Sequence, residues 1–202
     1  MIMLYHMKKF YTKENKNERG FTLIETLVAT SIFATSILAL LVVLSQGIAN
    51  TGYAKKKIIA GYLGQEGIEY IRNLRDTYVL YSATSQAGWD SFNTKLTSST
   101  CQAVNGCYFD DRNVLFTDNS TPMTDLLLTA CPSSSCPAAT LLYDATTGKY
   151  NYVSGTNSGY NRKMRISQIS ANETKVFSTI SWTQGSGNYS ISFSESLFNW
   201  VE

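Results

Sequence analysis

Hydrophobic and polar positions divide the chain into three stretches. Residues 1–20 mix charged and apolar side chains and end at Gly20. From Ala29 to Tyr53 there is then no charged side chain, and Leu23, Ile24, Leu27, Val28, Ile32 and Phe33 begin a run that stays apolar through Leu44. A helix apolar on nearly all sides suits lipid or the inside of a bundle. Phe21 to Gly47 would reach about 40 Å, longer than a hydrocarbon core of about 30 Å. Small residues at Ala29, Ser31, Ala34, Ser36 and Ala39 would let neighbouring helices approach.

Past Ser45 the period remains helical while the polarity rises. Ile59, Tyr62, Leu63, Tyr70, Ile71 and Leu74 recur at steps of three and four, with Lys55, Lys56, Glu66, Glu69 and Arg72 mostly off that stripe. The helix is expected to end near Arg75-Asp76. Gly52, Gly61, Gly64 and Gly67 each cost up to about 1 kcal/mol against alanine in a helix. They allow local flexibility or, the preferred reading, close packing of the helix on a sheet. Residues 83–138 show few regular patterns and read as a loop-rich insertion. Leu141-Leu142-Tyr143 and Tyr150-Asn151-Tyr152, joined through Thr146-Thr147-Gly148-Lys149, predict a hairpin. In the last stretch Met164-Arg165-Ile166 opens a strand, and Val176, Ser178, Ile180 and Trp182 alternate against Phe177, Thr179 and Ser181. Tyr189, Ile191 and Phe193 then alternate against serines. Period two marks strands with one buried and one wet face, so the three predict an antiparallel meander. The fold class is α+β.

Charge adds an orientation. The first 20 residues hold five basic and two acidic side chains of the chain's 17 and 15, leaving 12 and 13, a formal −1, for residues 21–202. Lys8, Lys9, Lys13, Lys16 and Arg19 beside a first membrane segment hold that end in the cytoplasm. Everything after about residue 50 is then outside, and no nucleic-acid partner is implied. All four cysteines lie in the exported part, as Cys101/Cys107 and Cys131/Cys136. An even count outside the cytoplasm predicts disulfides, with local pairing favoured among three possible connectivities. A zinc knuckle is the alternative, but Cys101-x5-Cys107 is wider than the usual spacing.

Candidate catalytic chemistry is sparse. The single histidine, His6, precedes Gly20, so residues 21–202 can build neither a histidine triad nor a histidine metal site. Asp110, Asp111, Asp118 and Asp125 read as solvated loop acids, with a calcium site as the alternative. No cofactor, metal or catalytic residue is predicted, and the chain is read as a non-enzyme.

The junction itself is the most specific feature. Gly20-Phe21-Thr22-Leu23-x-Glu25 follows a basic leader and heads the apolar run, and Glu25 is a charge where a membrane segment least tolerates one. An ordinary signal peptide has a shorter apolar stretch cut at its far end, and a plain membrane anchor leaves Gly20-Phe21 and Glu25 unexplained. The pattern resembles the cleavage and methylation signature of type IV prepilins and pseudopilins. The resemblance implies cleavage between Gly20 and Phe21 by a prepilin peptidase, N-methylation of Phe21, and an assembly-register role for Glu25. It implies a pilin-like fold with a long N-terminal helix on an antiparallel C-terminal sheet: 1–20 leader, 21–50 transmembrane and assembly helix, 51–76 helix continuing into the globular part, and 77–202 extracytoplasmic β domain. Implied partners are the peptidase, other pilin or pseudopilin subunits, and membrane lipid before assembly. The implied location is the inner membrane, N-terminus inside, and then a pilus or pseudopilus. Major pilins of the family often carry a proline in the membrane helix; none occurs here before Pro122, which favours a minor subunit. A type II secretion pseudopilin and a membrane-anchored binding protein outside any filament are the other readings.

Overall fold

The computed structural model describes residues 20–110, 127–132, 136 and 140–199. Two units are distinguished, residues 1–49 and 50–202, and one long helix, α1 (Leu23–Leu80), contributes to both. Within the first unit the described residues are all exposed, and the helix there is long and apolar enough to cross a membrane.

The second unit is built on the later half of α1. Leu63, Ile71 and Leu74 are buried, as the three-four spacing predicted, whereas Tyr62 is 70% exposed and does not belong to the stripe. The helix runs to Leu80, about one turn beyond the predicted end. A second helix, α2 (Ser85–Ser98), follows where an irregular insertion was expected. Its sequence carries the explanation. The Thr84 side chain accepts a hydrogen bond from the Ala87 N–H as N-cap, and Trp89, Phe92 and Leu96 form one buried face at helical spacing. The Trp89 indole N–H donates to the Ala171 carbonyl at 2.6 Å, and Thr174 donates to the Asn93 side-chain oxygen at 2.6 Å, tying α2 to the sheet.

The main sheet has the order β2 (Thr129–Ala130), β1 (Cys107–Tyr108), β6 (Tyr160–Ser170), β7 (Glu173–Gln184) and β8 (Gly187–Phe198). Its last three strands are the predicted meander, with Ile180 paired to Arg162 on one side and Ile191 on the other. The predicted hairpin is β3 (Leu142–Asp144) with β4 (Lys149–Asn151), joined by β5 (Thr156–Asn157) in a smaller sheet. Gly148 takes φ +70 in its turn, a conformation open to glycine.

Two apolar clusters lie between α1 and the strands. One joins Ile71, Leu74, Trp89, Phe92, Met164 and Val176; the other joins Ala60, Leu63, Leu141, Tyr160, Ile180 and Trp182. The glycines of α1 separate by position. A Cβ on Gly64 would lie 2.5 Å from the Phe193 ring, and one on Gly67 would lie 2.5 Å from Ser178 Oγ and 2.7 Å from Met164 Sδ. A Cβ on Gly61 would meet nothing within 4 Å. Close packing therefore accounts for Gly64 and Gly67 and not for Gly61.

Candidate functional site

The start of α1 brings Thr22 and Glu25 together. Glu25 Oε2 accepts from the Thr22 backbone N–H at 2.8 Å and from its hydroxyl at 2.9 Å, while the Glu25 N–H donates to Thr22 Oγ1 at 3.3 Å. This reciprocal arrangement is a capping box. It occupies backbone donors that a helix N-terminus otherwise leaves unpaired, and it sets a carboxylate against the positive end of the helix dipole. The S/T-x-x-E spacing is legible in Thr22-Leu23-Ile24-Glu25, and Thr22, which the junction motif already includes, is the other half of the device.

Gly20 and Phe21 precede the helix, and Phe21 is 86% exposed. Their peptide bond is accessible and outside helical hydrogen bonding, the condition in which a protease can engage a chain. The hydroxyls in the first part of the helix that follows bond back onto it. Thr26 donates to the Leu23 carbonyl at 2.8 Å, Ser31 to Val28 at 2.8 Å, and Ser36 to Ile32 at 2.7 Å. Hydroxyls bonded back onto their own helix need no water, so the segment can enter hydrocarbon. Its outer surface is a continuous apolar area, with Leu40 70%, Phe33 68% and Val43 67% exposed. Contiguous apolar surface on this scale marks a membrane or protein contact.

The cysteines pair locally, Cys101 with Cys107 and Cys131 with Cys136. The first bridge is fully buried in the core and joins the chain beyond α2 to β1, whose Cys107 faces Met164 of β6. The Cys131 N–H donates to the Gly106 carbonyl at 3.0 Å, bringing the second bridge beside the first.

Polar groups also meet inside the second unit, at a place no sequence pattern suggested. Arg162, fully buried, pairs with Glu66 at 2.8 Å, and its guanidinium lies 3.8 Å above the Phe109 ring. Phe109 stacks in turn on Tyr70 at 3.8 Å. Burial beside this cluster pushes the Tyr152 phenol up to about 12. Near the surface Arg72 bridges Glu195 at 2.7 Å and Glu69 at 2.6 Å, and its hydrogen bonds to Glu195 hold the guanidinium above its ordinary value. These are fastenings between α1 and the sheet; none offers an open, convergent set of reacting groups.

Of the four loop acids, Asp110 accepts from the Tyr152 N–H at 3.2 Å. Asp111, Asp118 and Asp125 lie outside the described residues, as do His6 and the basic residues of the leader. Among the described residues no three metal-binding side chains come together.

Comparison with protein families matches residues 15–43 to the prokaryotic N-terminal methylation motif. Comparison with curated proteins and with solved structures finds no match. The matched residues span the junction and the first part of α1, so the chain carries the type IV prepilin-type signature on its exposed apolar helix.

Proposed function

We propose, on the premise that this chain carries a prepilin-type signature, that it is a minor pilin-like subunit of a type IV pilus. The signature already indicates a type IV pilin- or pseudopilin-like protein, anchored by its helix and processed by a prepilin peptidase. What supports the reading is the coincidence of that motif with an apolar helix exposed over residues 23–50, while the lack of a proline before Pro122 favours a minor subunit.

In this reading the peptidase cuts after Gly20 and methylates the amine of Phe21. The leader's cations hold the N-terminus in the cytoplasm until then. Extraction into a filament moves the apolar surface of α1 from lipid onto neighbouring helices. The Glu25 carboxylate uses Oε2 for the cap, and a carboxylate has further acceptor sites. A neighbour's terminal amine is the natural occupant. At an effective dielectric of about 20, opposite charges about 4 Å apart attract by roughly 4 kcal/mol before desolvation is subtracted. Apolar helices sliding past one another have no comparable distance preference, so the pair selects the register.

The test is made in cells that build the filament. Intact mass of the membrane-derived protein is expected to show loss of residues 1–20 and one added methyl group, and Gly20→Ala is expected to block cleavage. Glu25→Ala should be cut normally, remain in the membrane, and disappear from sheared filaments. Wild-type incorporation of Glu25→Ala would remove the register role and favour an anchored protein outside the filament; recovery with a secretion pseudopilus would favour the pseudopilin reading.

A further inference from the structure

The meander turns one face to α1 and the other away. Val176, Ser178, Ile180 and Trp182 are buried, and the residues between them, from Lys175 to Ser181, alternate onto the opposite face. The pairing register arranges that outer face into three neighbouring cross-strand rows: Lys163–Thr179–Ser192, Arg165–Phe177–Ser194 and Ser167–Lys175–Ser196. Strands about 4.8 Å apart with same-face residues about 6.8 Å apart put Lys163 about 7 Å from Arg165, and Arg165 about 8 Å from Lys175.

Several other cations of the same unit are already engaged. Arg72, Arg75 and Arg162 each have a carboxylate partner, and the Lys56 ammonium donates to the Thr183 carbonyl. Among the described residues Lys163, Arg165 and Lys175 have no such partner; Arg165 and Lys175 stand 6.0 and 5.6 Å from the centre of the Phe177 ring. Glu173 shares their face but lies at its end, opposite Phe198. The concentration of positive charge is local, because residues 21–202 carry a formal −1 overall. Beside the cations, β8 presents Ser190, Ser192 and Ser194 exposed at alternate positions.

We propose that the outer face of β6–β8 binds an acidic polysaccharide, a linear glycan with repeated carboxylates. Cations at a pitch of about 7–8 Å on one sheet face complement charges repeated along an extended chain. Ser192 is already bonded to Thr179 Oγ1 at 2.9 Å, and the Ser190 and Ser194 hydroxyls both donate and accept, which suits the hydroxyls of sugar rings. Single-stranded nucleic acid is the rival polyanion, and it binds through successive exposed aromatic rings. Phe177 is the single ring in the three rows, and it lies between two cations. The inference does not depend on filament assembly.

The test uses the full mature chain in detergent and measures binding to polygalacturonate, neutral dextran and oligothymidylate. Polygalacturonate is expected to bind and dextran not, with affinity falling as salt rises from about 50 to about 500 mM because the contacts are solvent-screened. The triple variant K163Q/R165Q/K175Q is expected to lose about threefold to a hundredfold, the range for three exposed ion pairs. K163R/K175R keeps the charges and should keep the binding, and an unchanged thermal unfolding midpoint of the triple variant separates lost contacts from lost folding. K55Q/K57Q, changing a second basic cluster, should bind like wild type. Triple-variant binding equal to wild type, no polygalacturonate binding at low salt, or tighter binding of oligothymidylate than of polygalacturonate would each overturn the proposal.

Discussion

Gly61 and Gly67 lie on the same helix, and replacing each by alanine should move stability in opposite directions. Alanine is favoured over glycine in a helix by about 1 kcal/mol, because glycine loses more backbone freedom on folding. At Gly61 the new methyl meets nothing within 4 Å, so Gly61→Ala should retain that gain. At Gly67 it would sit 2.5 Å from Ser178 Oγ and 2.7 Å from Met164 Sδ, both on fully buried side chains. Overpacking of this kind costs about 1–3 kcal/mol, which exceeds the propensity gain over most of its range. The two variants should therefore differ by about 1–3 kcal/mol. In a folded unit of this size that is a separation of several degrees, at about 2–4 °C per kcal/mol. Thermal unfolding of the detergent-solubilised chain, followed by the fluorescence of the buried Trp89 and Trp182, measures it. Ser178→Ala removes one of the two clashing atoms, so Gly67→Ala should cost less in that background, a coupling a double-mutant cycle reads directly. Equal shifts of the same sign for Gly61→Ala and Gly67→Ala would refute the packing argument and leave flexibility as the reason for both glycines.

Three further outcomes are expected. Thr22→Val removes the threonine half of the capping box and should cost about 1 kcal/mol locally, seen as faster amide exchange over residues 23–26 with the second unit unchanged. Selective reduction of Cys101–Cys107 opens a short loop and should destabilise the second unit by about 2–3 kcal/mol; because Cys107 pairs with Met164, denaturation should shift as one transition rather than as a loop melting alone. The Tyr152 phenol, near 10 when unfolded and raised to about 12 when folded, contributes stability that is complete below pH 10 and is lost as pH rises towards 12. Burial also raises Tyr160 to about 12, so spectrophotometric titration of Tyr152→Phe should lose one of two phenolate steps near pH 12, and the variant's stability should fall less over that interval.

Much of the architecture was legible in the sequence, because helix and strand periods arise from backbone geometry within a few residues. The apolar run, the alternation from Val176 to Trp182, and the Asp144–Lys149 turn each carry their signal locally. The same holds for α2: Trp89, Phe92 and Leu96 after Thr84 spell a capped amphipathic helix, although its short length and polar composition hid it in a serine- and threonine-rich stretch. Other features were decided only when distant elements met. The spacing of Gly61, Gly64 and Gly67 is uniform, yet only the latter two approach the sheet, because the direction in which a helix faces its neighbour is set by the whole apolar stripe and not by the glycines. Arg162 reads as an ordinary strand cation. Its full burial depends on Glu66, ninety-six positions away, to balance its charge and on Phe109 to cover its guanidinium. No local pattern encodes such a partnership, since burying a charge is tolerable only where the chain has already brought its counter-charge alongside.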